Sequence, residues 1–184
     1  MDTLVVENSE AGGPDKALFT NSSLREKILE HQFVGELLRV LWCKGMQQVE
    51  LLKAEVDAGG YDLVLECNGV MRHVQLKSSY RGAKTSRVNI NVGLQRRHSG
   101  CVVWIMFDPA TMRIGPFLWL GNPPDQPTPG FGARIGRHSK GDQHGRKAER
   151  PNIRVVSKAE FTVLDSMEDL ADALFGSANS PAAA

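Results

Sequence analysis

The most regular hydrophobic pattern in the chain runs from Asn21 to Lys44. Leu24, Ile28, Val34, Leu38 and Leu41 recur at helical spacing, and Phe33, Leu37 and Val40 widen the stripe, which predicts an amphipathic helix. Ser22 or Ser23 can cap its start, with Glu26 three residues beyond Ser23 as in a capping box, and Gly45 stands where such a helix ends. Shorter apolar segments follow. Gln47–Leu52 predicts a strand, Ala58-Gly59-Gly60 a turn, and Tyr61–Cys67 and Val70–Ser79 alternate as strands do. Between the last two, Asn68-Gly69 is the dipeptide that favours a two-residue hairpin. Residues 47–79 thus predict a three-stranded antiparallel meander packed on the first helix.

Beyond the meander, a strand is expected at Val88–Val92 and a short helix near Leu94–His98. Cys101–Asp108 is apolar up to its last residue, the mark of a strand buried on both faces. Met112–Leu120 (with Pro116) and Ile153–Val156 predict further strands, and Gly121–Gly132, which holds four of the nine prolines, a loop. Ser166–Phe175 predicts a closing helix, with Ser166 and Asp169 in capping-box positions and Gly176 after it. Residues 1–21 have no apolar period and read as a flexible arm, 177–184 as a disordered tail, leaving 22–176 as a single domain. The expected fold is α/β: a central mixed sheet, made of the antiparallel meander plus a buried strand, flanked by helices.

Strand parity points to chemistry. Tyr61, Leu63 and Leu65 share one face, and Asp62, Val64 and Glu66 the other. Further on, Val74 and Leu76 point one way while His73, Gln75, Lys77 and Ser79 point the other. If both apolar sets face one core, Asp62 lies on the same sheet face as Gln75 and Lys77. A carboxylate, an amide oxygen and an ammonium then converge, an arrangement that is costly to bury without purpose.

Asp62, a hairpin, then Gln75-x-Lys77 resembles the PD-(D/E)XK nuclease superfamily, the restriction-endonuclease-like fold. The resemblance spans about residues 22–108 and takes in Glu36 on the first helix and the buried strand at Cys101–Asp108. The stretch EVDAGGYDLVLECNGVMRHVQLKSS also resembles small bacterial defence and repair nucleases that carry a QxK variant. The resemblance implies a restriction-endonuclease-like core and Mg²⁺-dependent hydrolysis of the phosphodiester bonds of DNA, with Mn²⁺ as a substitute and RNA left open. It makes Asp62 the principal metal ligand, Gln75, the Leu76 carbonyl and Glu36 further ligands, and Lys77 the residue that orients water or stabilises developing charge. Tyr61 replaces the motif's proline and Gln75 its acidic ligand, which removes one negative charge from the site. Glu36, Glu66 or Asp57 could restore it. Glu36 is flanked by Phe33 and Val40, whereas Asp57 equally suits the Gly59-Gly60 turn.

The competing reading of Asp62 and Lys77 is a cross-strand ion pair on a solvated sheet face. At the level of function, the alternative is an inactive nuclease-like subunit that binds nucleic acid within a larger complex. A third is a metal-free interaction domain.

Charge refines the picture. The 184 residues carry a net charge of only +1, but Phe131–Arg154 holds seven basic residues against Asp142 and Glu149. From Val155 onward, Lys158 stands against five carboxylates. The basic stretch is expected to be a loop lining a phosphate channel through Arg137, Lys140, Arg146, Lys147 and Arg150, with Arg81 and Lys84 as a second group. His138, His144 and Asp142 have no diagnostic metal spacing. Trp42, Trp104 and Trp119 sit in apolar surroundings and read as core. Three cysteines far apart exclude a disulfide framework or a CxxC zinc site and suit a reducing cytoplasm. The acidic N-terminus is not a signal peptide, and no apolar run approaches bilayer length, so no membrane role is expected. So small a chain has little room for a separate specificity element, which a homodimer or a partner subunit would supply.

Overall fold

The computed structural model describes residues 20–53, 59–138, 140, 143 and 145–177. Most of the expected arm, the expected tail beyond Ser177, and Asp57, Asp142 and His144 lie outside them. The chain starts with helix α1 (Ser22–Cys43), and strands β1 (Val49–Lys53), β2 (Leu63–Cys67) and β3 (Val70–Tyr80) follow. β4 (Arg87–Asn91) and a 3₁₀ turn (Val92–Arg96) lead to β5 (Gly100–Phe107) and β6 (Ile114–Leu120). β7 (Ile135–Arg137), β8 (Glu149–Ser157), a short 3₁₀ turn (Lys158–Glu160), β9 (Thr162–Leu164) and helix α2 (Met167–Phe175) complete it.

Six strands form a mixed sheet in the order β1-β2-β3-β5-β6-β9. The meander is antiparallel with Leu63 opposite Val74. β5 is parallel to β3, with Lys77 opposite Trp104, and all eight of its residues are buried. The hairpin at Asn68-Gly69 has φ of 49° and 83°, so both turn residues are left-handed, as a two-residue turn of the favoured twist requires. α1 and α2 cover one face of the sheet, enclosing Phe33, Leu37, Leu65, Val74, Val103, Ile105, Leu170 and Leu174.

The opposite face is covered by something the sequence did not suggest. β4, β8 and β7 form a second, three-stranded sheet. It closes a second core around Ile90, Leu94, Val102, Trp104, Leu118, Phe131 and Val156. The basic stretch 131–154 is therefore not simply a loop: β7 and the first six residues of β8 lie inside it, paired as Gly136 with Arg150 and Arg137 with Glu149. Tertiary pairing overrides the weak strand propensity of its Gly, Pro and charged residues.

α1 also departs from expectation. Its buried residues are Leu29, Phe33, Leu37, Val40 and Leu41, whereas Leu24, Ile28 and Leu38, expected on the core-facing stripe, are exposed. Trp42, expected in the core, is 68% exposed; Trp104 and Trp119 are buried as expected. Asn21 occupies the N-cap position without a side-chain capping bond, so the expected capping box does not form. The C-terminus behaves as expected: Gly45 (φ +74°) donates to the Trp42 carbonyl and Met46 to that of Leu41, a Schellman closure. On α2, Ser166 and Asp169 form the expected capping box. Among the described residues, no helix is long and apolar enough to cross a membrane.

Candidate functional site

β3 has eleven residues but β2 only five, so β2 covers only the first part of β3. Where β2 begins, the regular ladder has already broken: the Asp62 N–H donates to the Val74 carbonyl, out of step with the Leu63–Val74 register. The next inward-pointing N–H of β3, that of Leu76, is received by the Asp62 carboxylate at 2.6 Å. A side chain thus takes the place of a missing strand. N–H and C=O of one strand residue point to the same side, so the Leu76 carbonyl also faces this bared edge.

The edge opens into a cavity of about 360 Å³ lined by Arg25, Glu26, Leu29, Glu30, Asp62, Leu76, Lys77, Ser78 and Ile105. The first turns of α1 roof it. Leu76 and Ile105 enter from the helix side of the sheet, and Lys77 from the strand position opposite Trp104, on the far side. Asp62 and Lys77 are both half-buried.

Lys53, on β1, pairs with Glu30 across the mouth. Burial pushes the Glu30 carboxyl up, but the hydrogen bond and charge of Lys53, with the charge of Lys27, outweigh it and hold the group below its ordinary range. Lys53 is held above its ordinary value, chiefly by the hydrogen bond to Glu30, with the Asp62 charge adding to it. The site therefore alternates carboxylates and cations over one short edge of the sheet.

Of the residues singled out in the sequence, Asp62, Leu76 and Lys77 meet here. Gln75 does not line the cavity. It is 4% exposed, on the face toward the second sheet, and its amide oxygen accepts the Asn91 N–H at 3.4 Å. Ser79 shares that face, as the strand parity predicted, and it accepts the Trp104 indole N–H at 3.0 Å. Glu36 is exposed and is not on the cavity wall. It lies six residues past Glu30, about 9 Å further along the helix axis. Glu66 stands opposite Glu50 beside a separate groove.

Glu26 and Glu30 are the helical carboxylates that reach the site, and sequence reasoning passed over them. The signal was there: each precedes a buried residue, Leu29 or Phe33, by three positions, much as Glu36 is flanked by Phe33 and Val40. Gly60 fixes the approach to Asp62. Its φ is +75°, and a Cβ there would lie 2.9 Å from the Leu94 nitrogen, so the chain before β2 is pressed against the 3₁₀ turn.

The basic residues divide. Arg81 donates to the Gly115 carbonyl at 2.7 Å, Arg137 pairs with Glu149 at 3.3 Å, and Lys84, Lys140, Arg146, Lys147 and Arg150 are exposed.

The donor set suits a hard cation in one limited way. Among the described residues no three His, Cys, Asp or Glu side chains converge as a metal cage. Mg²⁺, however, is commonly held by one or two carboxylates together with water and substrate phosphate. Asp62 and the Leu76 carbonyl supply oxygen donors of that kind. No family model matches the chain, and no curated protein is significantly similar to it.

Proposed function

We propose that the chain is a Mg²⁺-dependent nuclease related to the PD-(D/E)XK superfamily, hydrolysing phosphodiester bonds of DNA. The observation that carries this reading is the Asp62 carboxylate anchored on the Leu76 N–H, beside Lys77, in a cavity at the bared edge of β3. The order helix, three-stranded meander, crossover and parallel buried strand also supports it.

In this reading Asp62 and the Leu76 carbonyl would hold the ion, which would supply neutralisation of phosphate charge and a water made nucleophilic near pH 7. The Leu76 N–H fixes the Asp62 carboxylate at the cavity wall, so little reorganisation is needed when substrate arrives. Lys77 sets a positive charge beside the place where negative charge develops. Arg25 extends this field along the wall, and Glu30, paired with Lys53, keeps the mouth from becoming uniformly negative. Gln75 has a positioning role, tying β3 to the start of the 3₁₀ turn through Asn91. The exposed bases of the β7–β8 region add screened attraction to nucleic acid.

A second reading is a binding subunit without chemistry, favoured by Gln75, which stands in the motif's acidic position and is engaged by the Asn91 N–H. One experiment separates the two. Plasmid, linear and single-stranded DNA, and RNA, are incubated with Mg²⁺, Mn²⁺ or EDTA, using wild type and Lys77→Ala. Metal-dependent cutting that disappears in the variant is the expected result. Cutting that survives the substitution places the chemistry elsewhere. Binding without cutting, with log K falling against log salt at a slope near about −4.5 for five phosphates, selects the second reading.

A further inference from the structure

α1 carries two apolar faces, and among the described residues only one is covered. The buried face is Leu29, Phe33, Leu37, Val40 and Leu41. On the opposite side lie Leu24, Ile28, His31, Gly35, Leu38 and Trp42, all exposed. At about 100° per residue these six fall within an arc of roughly 80°. Their spacing is four, three, four, three, four, the seam of a heptad repeat. Leu24 and Trp42, at its two ends, are 62% and 68% exposed.

Gly35 sits at the centre of this seam. Glycine is among the poorest residues for a helix interior, and no described residue gives a reason for it: a Cβ at Gly35 would meet nothing within 4 Å. A missing side chain on a solvent face allows another helix to approach closely.

We propose that this face is a homodimer interface, in which α1 packs antiparallel against α1 of a second copy about a two-fold axis that crosses the seam at the height of residue 33. The occupant follows from the symmetry of the seam. Reversing the helix about residue 33 superposes 24 on 42, 28 on 38 and 31 on 35, so the seam maps onto itself. Leu24 then meets the partner's Trp42, Ile28 the partner's Leu38, and the imidazole of His31 the space left by the partner's Gly35. An isologous interface demands this kind of self-complementarity, in which each contact occurs twice. Charge does not oppose it: the net charge is +1, and the flanking cations Lys27 and Arg39 are paired with Glu30 and Glu168. The helix is about 33 Å long, so one seam gives an interface at the small end of specific ones, and its assembly is concentration-dependent.

The test is sedimentation of the full chain, without nucleic acid, over a concentration series up to the solubility limit. Wild type is expected to reach twice the chain mass of 20.2 kDa. Gly35→Arg is expected to remain monomeric. The open space around Gly35 and the better helix propensity of Arg leave its fold intact, checked by an unchanged circular dichroism spectrum and a melting temperature no lower than that of monomeric wild type. Orientation is read by cysteine pairing in a Cys43→Ser background. Ile28→Cys with Leu38→Cys should form an intermolecular disulfide on oxidation, whereas Ile28→Cys alone, about 15 Å from its symmetry mate, should not. A wild type that stays monomeric throughout overturns the proposal and gives the face to a different protein. A dimer that survives Gly35→Arg, or a cross-link through Ile28→Cys alone, overturns it as well. None of these outcomes depends on the nuclease reading.

Discussion

The Asp62 carboxylate accepts the backbone N–H of Leu76 at 2.6 Å, standing in for the strand that β3 loses where β2 begins. Structure and chemistry meet in this one bond, and the two can be separated. Asp62→Ala leaves a half-buried N–H without its charged acceptor and is expected to destabilise the fold by about 1.5–3 kcal/mol. Asp62→Asn keeps an acceptor and should cost less, as read from urea unfolding midpoints. Mg²⁺ binding to the folded state should raise the wild-type melting temperature by mass action, and Asp62→Asn should abolish that rise. A rise of the same size in both proteins would remove Asp62 from the metal site.

Arg72 gives the largest expected stability loss. It is fully buried, and its guanidinium donates to the carbonyls of Leu174, Ala173 and Asn122 while lying 5.6 Å from the Trp119 ring. The first two belong to the last turn of α2, whose carbonyls have no partner within the helix and attract a cation. Arg72→Met fills similar volume but strands those carbonyls, and a loss of about 3 kcal/mol or more is expected in chemical denaturation. Arg72→Lys should recover only part of this, because an ammonium cannot reproduce the planar fork. A change below about 1 kcal/mol for Arg72→Met would show that water can replace these bonds.

Much of this architecture was legible because it rests on short-range rules. Alternation identified Leu63, Leu65 and Cys67 as the buried side of β2, and Asn68-Gly69 fixed the register of the hairpin. The same parity grouped Asp62 with Gln75 and Lys77, but the ladder breaks at Asp62, whose carboxylate meets the Leu76 N–H while Gln75 turns toward the second sheet. What was not legible depends on partners distant in sequence. α1 has apolar residues on two opposite faces, and periodicity alone does not say which face the sheet will take, so Leu24, Ile28, Leu38 and Trp42 were assigned inward. Glu36 is singled out and Glu30 passed over because flanking residues give the helical face, not the height at which the helix crosses β3. The second sheet is built from polar strands that hold only through each other and the core beneath them. Nothing local in the sequence marks Arg72, because its acceptors lie about 50 and 100 positions away.

The Glu30–Lys53 pair gives stability a defined pH dependence. Glu30 is depressed below its ordinary value of 4.5, so its contribution is present above that pH and is lost as the pH falls through the lower folded-state value. Lys53 is raised above 10.5, so its contribution is present below that pH and is lost as the pH rises past the higher folded-state value. Glu30→Gln should therefore flatten part of the acid limb of a stability–pH curve and leave pH 6–9 nearly level. Because Lys53 is half-exposed, the pair should also weaken with salt. An acid limb of unchanged steepness in Glu30→Gln would assign the acid sensitivity to other carboxylates.

The three thiols should differ sharply in reactivity. Cys43, at the end of α1, is exposed, while Cys67 and Cys101 are buried. Burial raises the pKa of both inner thiols; that of Cys101 is pushed up to about 12 despite the nearby Arg72 charge, so almost no thiolate exists at neutral pH. An aromatic disulfide reagent at pH 8 should titrate one thiol per native chain quickly and all three in denaturant. Cys43→Ser should remove the fast phase. The slow reaction of the other two should follow global unfolding, accelerating in step with any substitution that destabilises the core, Arg72→Met above all. Two fast thiols in the native protein would mean that β2 or β5 opens locally far more readily than their complete burial implies.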